Sequence, residues 1–150
     1  MSNLTGAGKN NIDNNEVAGK VALVTGSSKG IGKAIVLALA NSGTYSGIVV
    51  NARKKYEAET VAKEVRDAGK KCDSIAIMAD VSKEDDCVRL IDETLNHYGK
   101  IDVLVNNAGI QQEVPFEETS TDIWQKIIDV DLTGPFICSR ETVKHMSSCV

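Results

Sequence analysis

The sequence predicts an α/β protein built on a parallel sheet. Four short apolar runs alternate with three amphipathic stretches, at steps of roughly 27 residues that are typical of right-handed βαβ units. A glycine-rich turn follows the first run, and polar or turn-forming residues follow the others. With 150 residues, 42% hydrophobic and 25% charged, the chain has the size and composition of one globular domain.

Residues 1–18 differ in composition from the rest of the chain. They are rich in Asn, Gly and Lys and carry only isolated apolar residues. Such a segment buries too little surface to offset the entropy of ordering. We expect a disordered polar tail rather than a partner-binding arm, followed by a folded domain over residues 19–150.

Charge and cysteine usage exclude several classes of function. The net charge of −4 gives no electrostatic reason to expect a nucleic acid or an anionic membrane as a partner. No apolar run approaches the roughly 18 residues of a membrane span, and the N-terminus lacks the apolar core of a signal peptide. The four cysteines form no C-x-x-C pair, so neither a metal site nor a disulfide framework is indicated. We expect a cytoplasmic protein with reduced thiols.

The first strand, Val21–Val24, leads into the glycine-rich turn Thr25–Gly32, and an apolar-periodic helix follows. Glycines allow a bulky anion to approach the backbone closely, and the N-terminus of the helix adds partial positive charge. The nucleoside-triphosphate loop G-x-x-x-x-G-K-[ST] is disfavoured, because it requires glycine at Ser27 and a hydroxyl at Ala34. The turn therefore predicts a site for a dinucleotide pyrophosphate.

The next elements are predicted from apolar periodicity and flanking turn residues. They are a first helix ending at Gly43, a strand at Gly47–Val50, a helix over Tyr56–Ala68 that stops at Gly69, a strand at Ser74–Met78, a helix from a cap at Ser82 to about His97 with its stop near Gly99, and a strand at Ile101–Val105. Ser82 is favoured as a cap because an acid, Asp85, stands three residues on, as in a capping box.

A last amphipathic helix is expected after the polar loop. Ser120 or Thr121 is its predicted cap. Pro135 has no backbone N–H, so it is expected to bend this helix near Asp131.

Four motifs in order resemble the short-chain dehydrogenase/reductase family of Rossmann-fold oxidoreductases over about residues 19–150. They are Thr-Gly-x-x-x-Gly-x-Gly at 25–32, Asp80-Val81 after the third strand, Asn-Asn-Ala-Gly at 106–109, and Val-Asp-Leu-Thr-Gly at 130–134. The resemblance implies a Rossmann-type, doubly wound parallel sheet of which about four strands are present.

In that family the glycine turn wraps the pyrophosphate, the acid matching Asp80 meets the adenine amine, and the backbone from Asn107 to Gly109 lines the ribose. The Asn-Asn-Ala-Gly segment also caps a strand end and ties neighbouring strands together there. The cofactor-binding residues implied for this chain are Gly26, Ser28, Lys29, Gly30, Ile31, Gly32, Arg53, Asp80, Val81, Asn107, Ala108 and Gly109.

The charges near the turn favour NADP over NAD as the cofactor. An NAD site usually presents an acid about 20 residues beyond the glycine turn, whereas an arginine suits the 2′-phosphate of NADP. No acid stands between Gly32 and Glu57, while Lys29 and Arg53 supply cations. NAD is the alternative cofactor. The alternative interpretation of Lys29 and Arg53 is that they are solvated loop charges without a role in binding.

The family uses a Tyr-x-x-x-Lys pair, a preceding Ser and an Asn to move a proton during hydride transfer. None of the three tyrosines is followed by lysine four residues on, and Asp131 stands in the Asn slot. Three alternatives are open for Asp131: its backbone carbonyl holds a water in the catalytic proton relay, its side chain brings an unwanted negative charge to the slot, or it only shapes the kink of the helix. An open parallel edge at the fourth strand and a chain end directly after a helix predict that the sequence is cut before the catalytic segment.

The resemblance implies the cofactor-binding part of an NADP(H)-dependent oxidoreductase that acts on a carbonyl or alcohol substrate, like 3-oxoacyl reductases or glucose 1-dehydrogenases. Family members are usually homo-tetramers or dimers, through the long helix that begins here at about Thr121. A non-catalytic nucleotide-binding or regulatory module is the alternative function. An inert truncated remnant is the third hypothesis.

Overall fold

The computed structural model describes residues 19–68 and 71–146. Its strands are β1 Lys20–Val24, β2 Tyr45–Ala52, β3 Asp73–Met78 and β4 Val103–Val105; its helices are α1 Gly30–Asn41, α2 Lys55–Ala68, α3 Glu84–Tyr98, α4 Thr121–Ile128 and α5 Gly134–Val143. The tail over residues 1–18, the predicted stop at Gly69 and the thiol of Cys149 lie outside the described residues.

The four strands form one parallel sheet in the order β3-β2-β1-β4. The chain therefore moves outward from β1 through β2 to β3, and then returns to the other side of β1 to form β4. Such a reversal leaves a crevice at the carboxyl ends of the strands on either side of it, where ligands of this fold class bind. Here the crevice lies between the ends of β1 and β4.

Helices cover both faces of the sheet. Val24 and Ile48 pack with α1 and α2 on one face, while Leu23 and Val49 pack with α3 on the other. Because β1 and β2 are buried on both sides, they read as continuous apolar runs rather than alternating ones. The predicted doubly wound α/β arrangement is confirmed.

The predicted cap at Ser82 is wrong. Helix α3 begins at Glu84 with Lys83 in the N-cap position. The Ser82 hydroxyl donates to Asp80 Oδ1 at 2.7 Å, and the Ser82 N–H donates to the same oxygen at 3.1 Å. A carboxylate two residues before a serine forms this local turn in competition with helix capping. Ser82 therefore belongs to the loop that holds Asp80.

The long C-terminal helix is interrupted where the sequence predicted a bend. Ser120 caps α4 by accepting a hydrogen bond from the Ile123 N–H at 3.3 Å. The segment Asp129–Thr133 is π-helical, and α5 follows it with Pro135 in its first turn. Because Pro135 has no N–H to donate to the Asp131 carbonyl, the regular α-helical ladder cannot continue through this point.

Two further features concern membrane-spanning helices and exposed apolar side chains. No helix in residues 19–68 and 71–146 is both long enough and apolar enough to cross a membrane. The π-helical segment and its flanking helices expose large apolar side chains, namely Trp124, Leu132, Phe136 and Val143.

Candidate cofactor-binding site

A cleft of about 530 Å³ lies at the carboxyl ends of the strands. The predicted cofactor-binding residues all line it, namely Gly26, Ser28, Lys29, Gly30, Ile31, Gly32, Arg53, Asp80, Val81, Asn107, Ala108 and Gly109. Asp131 does not line the cleft, although its neighbour Val130 does. The structure thus brings together segments that are distant in the chain, as the hydrogen bond between Thr25 and Ala108, 83 residues apart, illustrates.

The glycine-rich turn is held rigidly over the sheet. The buried Ser27 hydroxyl donates to the Val24 carbonyl at 2.7 Å, and the Ser27 N–H donates to the Asn51 carbonyl at 2.9 Å. Gly32 lies against the turn so closely that a Cβ there would stand 2.5 Å from the Gly26 carbonyl oxygen and would clash with the Asn107 amide. Only glycine allows α1 to begin this close to the turn.

The N-terminus of α1 faces the cleft without a side-chain cap. Lys29 occupies the N-cap position, makes no capping hydrogen bond, and is followed by no acid in the first turn. By contrast, the first turn of α3 carries three acids. The partial positive charge and free N–H groups of α1 are therefore available to an anion in the cleft.

Thr25 joins the ends of β1 and β4. Its Oγ1 accepts hydrogen bonds from the N–H groups of Asn107 and Ala108, each at 3.0 Å. The Asn107 side chain returns two bonds, to the carbonyls of Thr25 at 3.0 Å and Gly26 at 3.1 Å. These four bonds fix the two walls of the cleft relative to each other.

Asn51 is a site residue that the sequence reasoning missed. It is 1% exposed, and its Oδ1 accepts from the Gly26 N–H at 3.1 Å. Its Nδ2 donates to the carbonyls of Ile77 and Ala79, each at 3.2 Å. One amide therefore ties the glycine turn to the ends of β2 and β3. The only sequence signal for Asn51 was its polar side chain directly after the predicted strand Gly47–Val50, and this position was interpreted as the start of a turn.

Asp80 is held at the edge of the cleft by its own backbone and by Ser82. Its N–H donates to Asp86 Oδ2 at 2.8 Å. Arg89 in turn donates to Asp86 Oδ1 and to the Met78 carbonyl. Because Asp86 and Arg89 lie on α3, this helix positions the loop after β3.

Replacing Asp86 by asparagine is expected to lower the free energy of unfolding by about 1 kcal/mol at neutral pH. This value is smaller than that of a buried hydrogen bond to a charged group, because Asp86 is partly exposed. The hydrogen bond from the Asp80 N–H, and then Arg89, holds the pKa of Asp86 below its ordinary value. This stability is complete above the ordinary pKa and is lost as the pH falls through the lower, folded-state pKa. Urea unfolding should show a constant difference from wild type above about pH 5 that shrinks towards pH 3.

Asp85→Asn is the matched control for Asp86, because it removes the same charge from the same first turn at an exposed position. Its effect on unfolding should be smaller than that of Asp86→Asn at neutral pH. Equal effects of the two variants, or an Asp86→Asn difference that stays constant down to pH 3, would contradict this account.

Charged side chains from the glycine turn, the end of β2 and the start of α2 line the cleft. Lys29, Arg53 and Lys54 supply cations, and Glu57 supplies a carboxylate from the first turn of α2. Glu57 pairs with Lys54 at 3.3 Å. Among the described residues, Lys29 and Arg53 form no ion pair. The sequence reasoning treated Glu57 only as the first acid after the turn and did not place it at the cleft.

Comparison with known proteins identifies the chain. The family model for short chain dehydrogenases matches residues 20–149. The chain belongs to the short-chain dehydrogenase family. A 3-oxoacyl-[acyl-carrier-protein] reductase from Synechocystis is 43% identical over 128 residues, which are 85% of this chain and 50% of that protein. The chain spans about half the length of the curated relatives it matches.

Solved short-chain dehydrogenase structures share the fold. A metagenomic short-chain oxidoreductase in complex with NADP is 32% identical with a TM-score of 0.77, and the match covers 86% of this chain and 57% of that one. An NADH-dependent reductase responsible for alginate metabolism is 26% identical with a TM-score of 0.76, over 87% of this chain and 52% of that one.

Asp131 has a visible structural role at the family's Asn slot. Its Oδ1 accepts a hydrogen bond from the Ile110 N–H at 2.9 Å, which ties the π-helical segment to the loop after β4. An aspartate supplies this acceptor as well as an asparagine does. This contact joins the helix and the loop through the side chain and does not involve the Asp131 backbone carbonyl.

Within residues 19–68 and 71–146, no group of three or more His, Cys, Asp or Glu side chains is arranged to hold a metal ion.

Proposed function

We propose that this chain binds NADP(H) in the cleft and forms the cofactor-binding part of an oxidoreductase that transfers hydride between nicotinamide and a carbonyl or alcohol substrate. The observation that carries the proposal is the convergence of the glycine turn, Arg53, Asp80 and residues 107–109 on one cleft at the strand ends. Its Synechocystis relative is named as a 3-oxoacyl-[acyl-carrier-protein] reductase, so a 3-oxoacyl thioester is the first substrate class to test.

The cleft has the chemistry that a dinucleotide requires. Uncapped N–H groups at the start of α1 suit a pyrophosphate. Gly30 has a φ of +54°, and a Cβ there would meet no atom within 4 Å, so the backbone is open to a bulky anion. Asp80 offers a carboxylate to an adenine amine, and the rigid segment over residues 107–109 offers a wall for the ribose.

The NADP preference rests on cations. Lys29 and Arg53 line the cleft and form no ion pair among the described residues. An NAD site usually has an acid at the end of β2 that binds the ribose 2′-hydroxyl, and this chain has none between Gly32 and Glu57. A guanidinium grips a phosphate through two parallel N–H bonds, while an ammonium acts as a point charge. One solved relative holds NADP and another is named as NADH-dependent, so these charges rather than the fold carry the preference.

Hydride transfer also needs a group that moves a proton, and none of Tyr45, Tyr56 and Tyr98 lines the cleft. Nicotinamide, when bound, gives or takes the hydride. Tyr98 is buried, and its burial, reinforced by Asp73, raises the pKa of its hydroxyl, which is the wrong direction for an acid–base group working near neutral pH. We therefore assign this chain to cofactor binding; a nucleotide-binding module that acts by association is the second candidate.

Assembly and location are part of the same proposal. The exposed Trp124, Leu132, Phe136 and Val143 along α4, the π-helical segment and α5 support a homo-dimer or tetramer through this helix. The thiols of the described part of the chain, namely Cys72, Cys87 and Cys138, are buried and free of disulfides. Free buried thiols are typical of reducing compartments, so we propose a cytoplasmic protein.

The test is a titration of the chain with NADPH followed by nicotinamide fluorescence, with Gly30→Ala as the variant. A Cβ at Gly30 would enter the space through which the anion approaches the backbone, and its strain at a positive φ, about 1–2 kcal/mol, favours a turn conformation other than the binding one, so NADPH affinity should fall roughly tenfold. Gly43→Ala is the matched control: Gly43 has a φ of +72° and equal open space, but it does not line the cleft.

Binding that survives Gly30→Ala unchanged, or that Gly43→Ala weakens equally, would contradict the proposed site. A ketone and 3-oxoacyl thioester panel run with the same samples tests whether this chain does more than bind the cofactor. Turnover supports a complete enzyme, whereas binding without turnover supports the cofactor-binding part or a module.

A further inference from the structure

Glu57 introduces a negative charge into an otherwise cationic corner of the cleft. It lies in the first turn of α2, with its side chain 32% exposed. Its carboxylate lies 3.3 Å from Lys54 Nζ and 3.5 Å from the Ser28 hydroxyl. The Tyr56 hydroxyl donates to it at 3.3 Å. The carboxylate is therefore directed towards the glycine-rich turn.

Glu57 is ionised at neutral pH. Burial alone would raise its pKa, but the hydrogen bond and charge of Lys54, with smaller contributions from Tyr56 and Lys29, lower the pKa below its ordinary value. Ser28, whose hydroxyl donates to Glu57, directly precedes Lys29 in the glycine turn, and both Lys29 and Glu57 line the cleft. The charge of Glu57 therefore acts on Lys29 as well as on Lys54.

The other cleft-lining carboxylate among the described residues does not act on these cations in the same way. Asp80 accepts two hydrogen bonds from Ser82 and forms no ion pair among the described residues, whereas Glu57 pairs with Lys54. Arg53 and Lys54 follow β2, and Lys29 lies in the glycine turn. Glu57 thus sets the balance of charge at the place where the ribose 2′-position is expected. With three cations and Glu57, that corner is less positive by one charge than the cations alone would make it.

We propose that Glu57 is a specificity-determining residue of the cofactor site. Its carboxylate weakens the attraction of Lys29, Arg53 and Lys54 for a 2′-phosphate, and so limits the preference for NADP over NAD. This inference rests on the proposed function, because it requires that the cleft bind a nicotinamide dinucleotide beside these cations. A phosphate carries a charge of about −1.5 to −2, so it feels Glu57 strongly, whereas a 2′-hydroxyl carries no charge to be repelled.

The test compares two probes that differ only in the 2′-phosphate, namely 2′,5′-ADP and 5′-AMP. Isothermal titration of the chain gives the ratio of their affinities. In Glu57→Gln, which keeps the size of the side chain and removes its charge, the ratio should shift at least roughly fivefold towards 2′,5′-ADP at low salt. The shift should come from tighter 2′,5′-ADP binding and should shrink in about 0.5 M salt, because partly exposed charges are screened.

Glu59→Gln is the matched control. Glu59 lies on the same helix, is exposed, pairs with Lys55 at 3.7 Å, and does not line the cleft. Its loss removes the same charge and should leave the affinity ratio within about twofold of wild type. If Glu57 only stabilises the N-terminus of α2, Glu57→Gln will lower the thermal midpoint without moving the ratio, and the proposal is overturned.

Failure of this inference differs from failure of the proposed function. A wild-type chain that prefers 2′,5′-ADP, with an unchanged or reduced ratio in Glu57→Gln, overturns only the role of Glu57. A folded chain that binds neither probe overturns the proposed function and this inference with it. A ratio that rises in Glu57→Gln and stays constant in Glu59→Gln supports both.

Discussion

Replacing Arg53 by aspartate is expected to reduce the affinity for NADPH roughly 10- to 100-fold, which corresponds to about 1.4–2.8 kcal/mol. The variant removes a guanidinium that lines the cleft and puts a carboxylate where a 2′-phosphate is expected. NADH should bind equally well or more tightly, because an acid at this position accepts a hydrogen bond from a ribose 2′-hydroxyl. Parallel fluorescence titrations with NADPH and NADH measure the change in preference.

Lys55→Asp is the matched control for Arg53→Asp. Lys55 is also an exposed cation at the start of α2, but it pairs with Glu59 and does not line the cleft. The same charge reversal there should change the NADPH to NADH affinity ratio less than about threefold. Unchanged relative affinities in Arg53→Asp would overturn the assignment of this residue to the 2′-phosphate.

Replacing Asn51 by leucine is expected to destabilise the fold by about 3 kcal/mol or more, a large fraction of the typical stability of a domain. Leucine matches the amide in shape but leaves three backbone groups without partners, namely the Gly26 N–H and the carbonyls of Ile77 and Ala79. At 1% exposure, water cannot replace these bonds. Urea unfolding measures the loss as a lower midpoint at an unchanged slope.

Asn41→Leu gives the comparison for Asn51. Asn41 also makes a side-chain bond to a backbone carbonyl, that of Leu37 at 3.0 Å, but it is exposed at the end of α1. Its replacement should change stability by less than about 0.5 kcal/mol. If Asn51→Leu costs no more than Asn41→Leu, then Asn51 does not hold the glycine turn against β2 and β3.

Much of the fold could be predicted because local patterns and tertiary structure agree. Val21–Val24 is apolar on both faces, and in the structure it is buried on both sides of the sheet. The turn after it needs backbone conformations that glycine adopts easily, so the glycines predicted the turn from the sequence alone. Pro135 marked the interruption of the long helix because the loss of one N–H is a local effect.

The parts that sequence reasoning missed depend on partners distant in the chain. From the sequence alone, Asn51 is interpreted as a turn residue, because the two carbonyls that its side chain binds belong to residues 26 and 28 positions away. Ser82 fits a capping pattern, but its hydroxyl goes to Asp80, since Asp86 and Arg89 hold that loop in place. The strand order around β1 likewise arises from how the crossovers pack, which no single segment encodes.

The central claim is that a dinucleotide binds with its pyrophosphate at the N-terminus of α1. Backbone amide NMR of the isotopically labelled chain tests it directly, by following shifts as NADPH is added. The account predicts the largest shifts at Gly30, Ile31 and Gly32, with further shifts at Ala108 and Gly109 across the cleft. Saturable binding that leaves these amides unmoved, or that shifts instead the groove between β3 and α3 around Ile75 and His97, would contradict it.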